Sequence, residues 1–85
     1  MKDARYIIAG EHGINAMLAS QIVKYIVRFS CKVTISMRDA TIDAKSIMGV
    51  LSLSAKKGDE IRIACDGFGE EDSLSKIMLY FAENI

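Results

Sequence analysis

Two stretches of this chain alternate strictly between apolar and polar residues, and they limit the fold more than any other feature. In "KVTISMR", residues 32–38, Val33, Ile35 and Met37 fall on one side and Lys32, Thr34, Ser36 and Arg38 on the other. In "EIRIACD", residues 60–66, Ile61, Ile63 and Cys65 stand on the apolar side. Successive side chains of a strand point to opposite faces, so each stretch predicts a strand with one dry and one wet face. Strands of that kind build an antiparallel sheet covered on one side only. A first strand reads at residues 3–9, "DARYIIA", and a short one at Thr41–Asp43, entered by a tight turn at Arg38–Asp39.

The cover must come from helices. From about Ala16 to Phe29, steps of 100° place Ala16, Ala19, Ile22, Val23, Ile26 and Val27 on one arc, with Gln21, Lys24 and Arg28 opposite. Met17 is an apolar residue among the polar ones. A last helix starts near Glu70, directs Leu74, Ile77, Met78, Phe81 and Ile85 inward, and carries Glu70, Glu71 and Asp72 where the helix dipole favours negative charge. Between the third and fourth strands Ser46 is placed to cap a short helix ending near Ser54. Val50 and Leu53 share its inner face. Ile47, Met48 and Leu51 lie on a different arc, and so short a helix cannot bury both. They predict an exposed apolar cluster of the kind that marks a partner site. The order β-α-β-β-α-β-α with one wet sheet face describes an α+β, two-layer open-faced sandwich.

Composition narrows the function. Residues 1–85 contain no proline, no low-complexity run and no linker, and read as one domain. Eleven basic residues balance eleven acidic ones, which argues against direct nucleic-acid binding and against attraction to an anionic membrane. No apolar run reaches the roughly eighteen residues of a membrane span. The opening "MKDARYIIAGEH" lacks a secretory apolar region, so a cytoplasmic location is expected. Cys31 and Cys65 belong to no CxxC or Cys/His cluster, and neither a metal nor another cofactor is expected. Cys65 reads as a small core residue.

What remains is "GEHGINAM", residues 10–17, where a strand runs through a loop into a helix. Unpartnered N–H groups make such helix starts anion-friendly. Together with "KSIMGVLSL" at residues 45–53 and the order of elements, the "GINA" turn at 13–16 resembles HPr, the histidine-containing phosphocarrier of the bacterial sugar phosphotransferase system. The resemblance spans essentially the whole chain. It implies the sheet order 1-4-2-3, with three helices on one face. Where the family has G-I-H-A-R-P-A, this chain has Gly13-Ile14-Asn15-Ala16-Met17-Leu18-Ala19. By that resemblance Asn15 stands in the place of the histidine that accepts phosphate from enzyme I and hands it to sugar permeases. Met17 stands in the place of the arginine that holds the phosphate.

An amide nitrogen's lone pair is delocalised into its carbonyl, so Asn15 cannot replace an imidazole nucleophile. Methionine offers no substitute for a bidentate guanidinium. The expectation is a protein that is not an enzyme and not an ordinary phosphocarrier. His12, the only histidine, reads as an exposed loop residue, with a relocated phosphoacceptor as the alternative.

In Gram-positive relatives a serine in the "K-S-I-M-G" context is phosphorylated by HPr kinase/phosphorylase, and the resemblance extends that role to Ser46. An intact serine beside a missing histidine resembles the Crh (catabolite repression HPr) branch, whose serine-phosphorylated form is corepressor to a LacI-type catabolite control protein. Such proteins keep the arginine that Met17 replaces here. Either Met17 enlarges the apolar surface of Ile47, Met48 and Leu51 beside Asn15 for another partner, such as a metabolic enzyme, or the change is neutral. A constitutive adaptor or decoy with no covalent switch is the rival reading. The apolar cluster also leaves weak homodimerisation open.

Overall fold

A computed structural model describes residues 1–85. The elements in order are β1 (Lys2–Ile7), α1 (Ala16–Ile26), β2 (Lys32–Met37), β3 (Ala40–Asp43), α2 (Ile47–Ser52), β4 (Glu60–Asp66) and α3 (Glu70–Asn84). The strands form one antiparallel sheet in the order β1-β4-β2-β3, which is the expected open-faced α+β sandwich.

The alternation works as expected. Ala4 pairs with Ile63, Ile63 with Ile35, and Ile35 with Ile42, so one apolar row crosses all four strands. Ile35, Ile61 and Ile63 are fully buried under the helices, and each such side chain contributes about 1.5–3 kcal/mol of transfer free energy. From above, α1 supplies Ala19, Ile22, Val23 and Ile26, and α3 supplies Ile77, Phe81 and Ile85. Leu74 and Met78 are half-buried at its edge. Tyr6 stands edge-on to Phe81 with ring centroids 5.7 Å apart, and its hydroxyl donates to the Phe81 carbonyl at 3.1 Å.

The boundaries of β1 and α1 differ from the expectation, whereas α3 starts at Glu70 as expected. β1 covers residues 2–7 rather than 3–9, because Ile8 leaves the ladder: its N–H donates to the Asp59 carbonyl and its own carbonyl accepts from Gly58 N–H. α1 stops at Ile26 rather than Phe29, since Phe29 N–H closes a tight turn onto the Ile26 carbonyl. Val27, expected inward, is therefore 53% exposed, and Ala16 in the first turn is exposed as well. The start of α3 has no side-chain cap. Gly69 takes a left-handed conformation there (φ 69°), and the Glu70 carboxylate reaches back to accept from Gly67 N–H at 3.0 Å. That bond, followed by the terminal ammonium 2.9 Å away, holds the Glu70 carboxyl below its usual value. No helix is long and apolar enough to cross a membrane.

Candidate functional site

The loop before α1 is fastened at several points. Gly10 N–H donates to the Ile85 carbonyl at 2.8 Å, and Ile14 N–H to the Ala55 carbonyl at 2.9 Å. Gly13 N–H bonds the Gly10 carbonyl at 3.1 Å, closing a turn that lifts Glu11 and His12 into solvent. Gly13 has φ +62°, and a Cβ there would stand 2.3 Å from the Ala55 oxygen, so only glycine fits. The next residues are thereby aimed into the helix. Asn15 is extended (φ −87°, ψ −178°), and its Oδ1 accepts from Leu18 N–H at 2.9 Å. It is the N-cap of α1.

A second cap of the same kind opens α2. Ser46 is extended (φ −113°, ψ 119°), and its Oγ accepts from Gly49 N–H at 3.1 Å while its carbonyl accepts from Val50 N–H at 3.0 Å. The residue before it is anchored twice over. Asp43 accepts from Lys45 N–H at 2.9 Å, and the Lys45 ammonium donates to the Phe29 and Cys31 carbonyls at 2.6 and 2.9 Å.

These bonds set the relation of the two helices. The start of α1 is tied to the chain just past the end of α2, and the chain just past α1 is tied to the start of α2. α1 and α2 therefore pack antiparallel, with the two caps at opposite ends of a helix about 9 Å long. Met17 belongs to the Asn15 end, whereas Ile47 and Met48 belong to the Ser46 end.

Exposure sorts the candidates further. Met17 is 65% exposed, Met48 76% and Ile47 42%, as their arcs required. Leu51 departs from the expectation: it is half-buried and packs against the core. α2 lies against both α1 and β3, so more than one of its faces is covered. The sequence reading missed Phe68, which stands 90% exposed between Gly67 and Gly69 in the loop before α3. An aromatic residue bracketed by two glycines was the available signal. It missed Lys45 too, whose partners are distant in sequence.

The chemistry of the two caps differs. At Asn15 the side-chain oxygen is committed to the helix and the amide nitrogen is not nucleophilic. At Ser46 the capping atom is a half-buried hydroxyl at a helix start, where a bound phosphate gains from free N–H groups and the dipole. Cys31 and Cys65 are both buried, and burial, then the neighbouring Cys31, pushes the Cys65 thiol up to about 12. Cys65 is inert core, as its strand position suggested.

Comparison with known proteins now places this geometry. The family described as PTS HPr component phosphorylation site matches residues 2–83. The phosphocarrier protein HPr of Xylella fastidiosa is 30% identical over 81 residues, covering 95% of this chain and 91% of that protein. The solved histidine-containing phosphocarrier protein of Mycoplasma superposes with a TM-score of 0.91 at 29% identity, over 96% of this chain and 93% of that one. The Bacillus subtilis catabolite repression protein Crh, solved as a domain-swapped dimer, superposes with a TM-score of 0.78 at 28% identity, over 100% of this chain and 98% of that one.

Proposed function

The chain belongs to the HPr family of the phosphotransferase system, and on that premise we propose that it is a regulatory, non-catalytic member switched by phosphorylation of Ser46. The observation that carries the reading is Asn15. It occupies the position where the family has its phosphate-accepting histidine, and its side chain folds back to cap α1. Met17, in the arginine's place, offers no charge to a phosphate. His12 is displaced by three residues onto an exposed turn, and a displaced nucleophile meets its donor in a different geometry.

Three features of Ser46 support a regulatory switch. Its hydroxyl is accessible in part, the helix behind it accommodates added charge, and exposed Ile47 and Met48 lie next to it. A partner reading charge and apolar surface together fits this arrangement. Candidates are HPr kinase/phosphorylase as modifier and a LacI-type catabolite control repressor or a metabolic enzyme as target, all acting in the cytoplasm. The likeness to Crh supports this reading.

The test is the intact mass of the chain after incubation with ATP and a Gram-positive HPr kinase. A single phosphate on the wild type and none on Ser46→Ala is the expected result. No phosphate, with an ordinary HPr phosphorylated in parallel, would overturn the proposal. The exposure of Met17, Ile47 and Met48 favours a second reading, a constitutive adaptor or decoy whose partner binding survives Ser46→Ala. Residual transfer through His12 would instead give acid-labile phosphate in the presence of enzyme I and phosphoenolpyruvate.

A further inference from the structure

The uncovered face of the sheet carries a second feature, which includes neither cap residue. One register row crosses it: Arg5 on β1 pairs with Arg62 on β4, Arg62 with Ser36 on β2, and Ser36 with Thr41 on β3. Every side chain in the row is a cationic donor or a hydroxyl, and none is a carboxylate. Like charges directly opposed across a strand pair destabilise a sheet, yet here two guanidiniums stand in that relation. Arg38, in the turn after β2, adds a third positive group beside them. Together these residues and Glu60 line a shallow cavity of about 350 Å³.

Each guanidinium is already paired with one carboxylate, and one of these, Glu60, lines the cavity beside Arg5. Arg5 bonds Glu60 and Arg38 bonds Asp59, each at 3.4 Å through one terminal nitrogen, and Arg62 bonds Asp3 through Nε. A guanidinium has five N–H donors in a fixed fork. In each arginine these contacts use one nitrogen and leave further donors free, including both terminal nitrogens of Arg62. The Ser36 and Thr41 hydroxyls share one hydrogen bond, 2.9 Å long, and retain capacity on the cavity side.

We infer that this row is a binding site for a compact phosphorylated metabolite, its phosphate between Arg5 and Arg62 and its hydroxyl-bearing part over Ser36 and Thr41. Paired guanidiniums suit a phosphate dianion because each presents two parallel donors. The concavity and its small size favour a small molecule over a peptide or a nucleic-acid backbone. The site is independent of Ser46 and of the proposed switch.

Amide NMR of the full chain tests it, with inorganic pyrophosphate and then glucose 6-phosphate added at constant ionic strength and glucose as the uncharged control. Saturable shifts at Arg5, Ser36, Thr41 and Arg62 with both phosphates, and none with glucose, are expected. Arg62→Gln should weaken binding about tenfold. Arg5→Gln, at an exposed position of β1, provides a second variant if the loss of the Asp3 partner perturbs the sheet. Shifts confined to the starts of α1 or α2 would overturn the assignment. So would shifts that sodium chloride reproduces, or equal binding by the arginine variants.

Discussion

The two helix caps at either end of α2 do the same mechanical task with different chemical prospects. Asn15 and Ser46 both sit in extended backbone and both accept an N–H from the residue three places on, at 2.9 and 3.1 Å. An amide in that position can only cap. A hydroxyl can cap and also be esterified. The family's transfer chemistry and its regulatory chemistry are thus separable at the level of one atom, on helices that pack against each other.

The largest effect expected from breaking this comparison is functional and all-or-none. Asn15→His combined with Met17→Arg should let the chain take phosphate from enzyme I and phosphoenolpyruvate, detected as acid-labile phosphate that the wild type lacks. If the wild type is labelled equally, the phosphate enters through His12 and the non-catalytic reading of the chain falls. Gly13→Ala comes next. It forces a methyl group against the Ala55 oxygen at a left-handed backbone position, and should lower unfolding free energy by roughly 3 kcal/mol in urea titration. The loop before α2 contains no such position, which makes the first cap the more rigidly prescribed.

A smaller and symmetrical effect follows from removing each cap. Asn15→Ala and Ser46→Ala should each cost about 1 kcal/mol of stability, whereas only the second abolishes kinase-dependent phosphate. Unequal costs, measured by denaturant midpoint at unchanged slope, would show that one helix start leans on its surroundings more than on its cap.

The smallest effect concerns the third helix start, where charge takes the place of a cap. Because the Glu70 carboxyl titrates below its ordinary value of 4.5, it stabilises the fold above that pH, and the contribution disappears as pH falls through the depressed value. The stability gap between wild type and Glu70→Gln should therefore close on acidification. The gaps caused by Asn15→Ala and Ser46→Ala should not, since neither cap titrates.

Much of this was legible because its causes are local. Val33, Ile35 and Met37 announce a half-buried strand by alternation alone, and Ser46 announces a helix start by side-chain chemistry. Where the reading slipped, the cause lay elsewhere in the chain. The end of α1 at Ile26 is followed by a turn whose last carbonyl, that of Phe29, is held by Lys45, sixteen residues further on. Leu51 is half-buried because α2 has two neighbours, which its own periodicity cannot reveal. The arginine row was visible only as polar positions on separate strands, and pairing register made it a row.

Lys45 carries one more consequence. It is the cation nearest in sequence to Ser46, and both contacts of its ammonium are to backbone oxygens in the connection between α1 and β2. A phosphate added next door would have to take it from those oxygens, loosening the joint between α1 and β2, or leave it in place. While the joint holds, the new charge has no internal counter-ion from this residue and faces outward. Phosphorylation would then work as a label attached to an unchanged body, legible to whatever carries the missing positive charge.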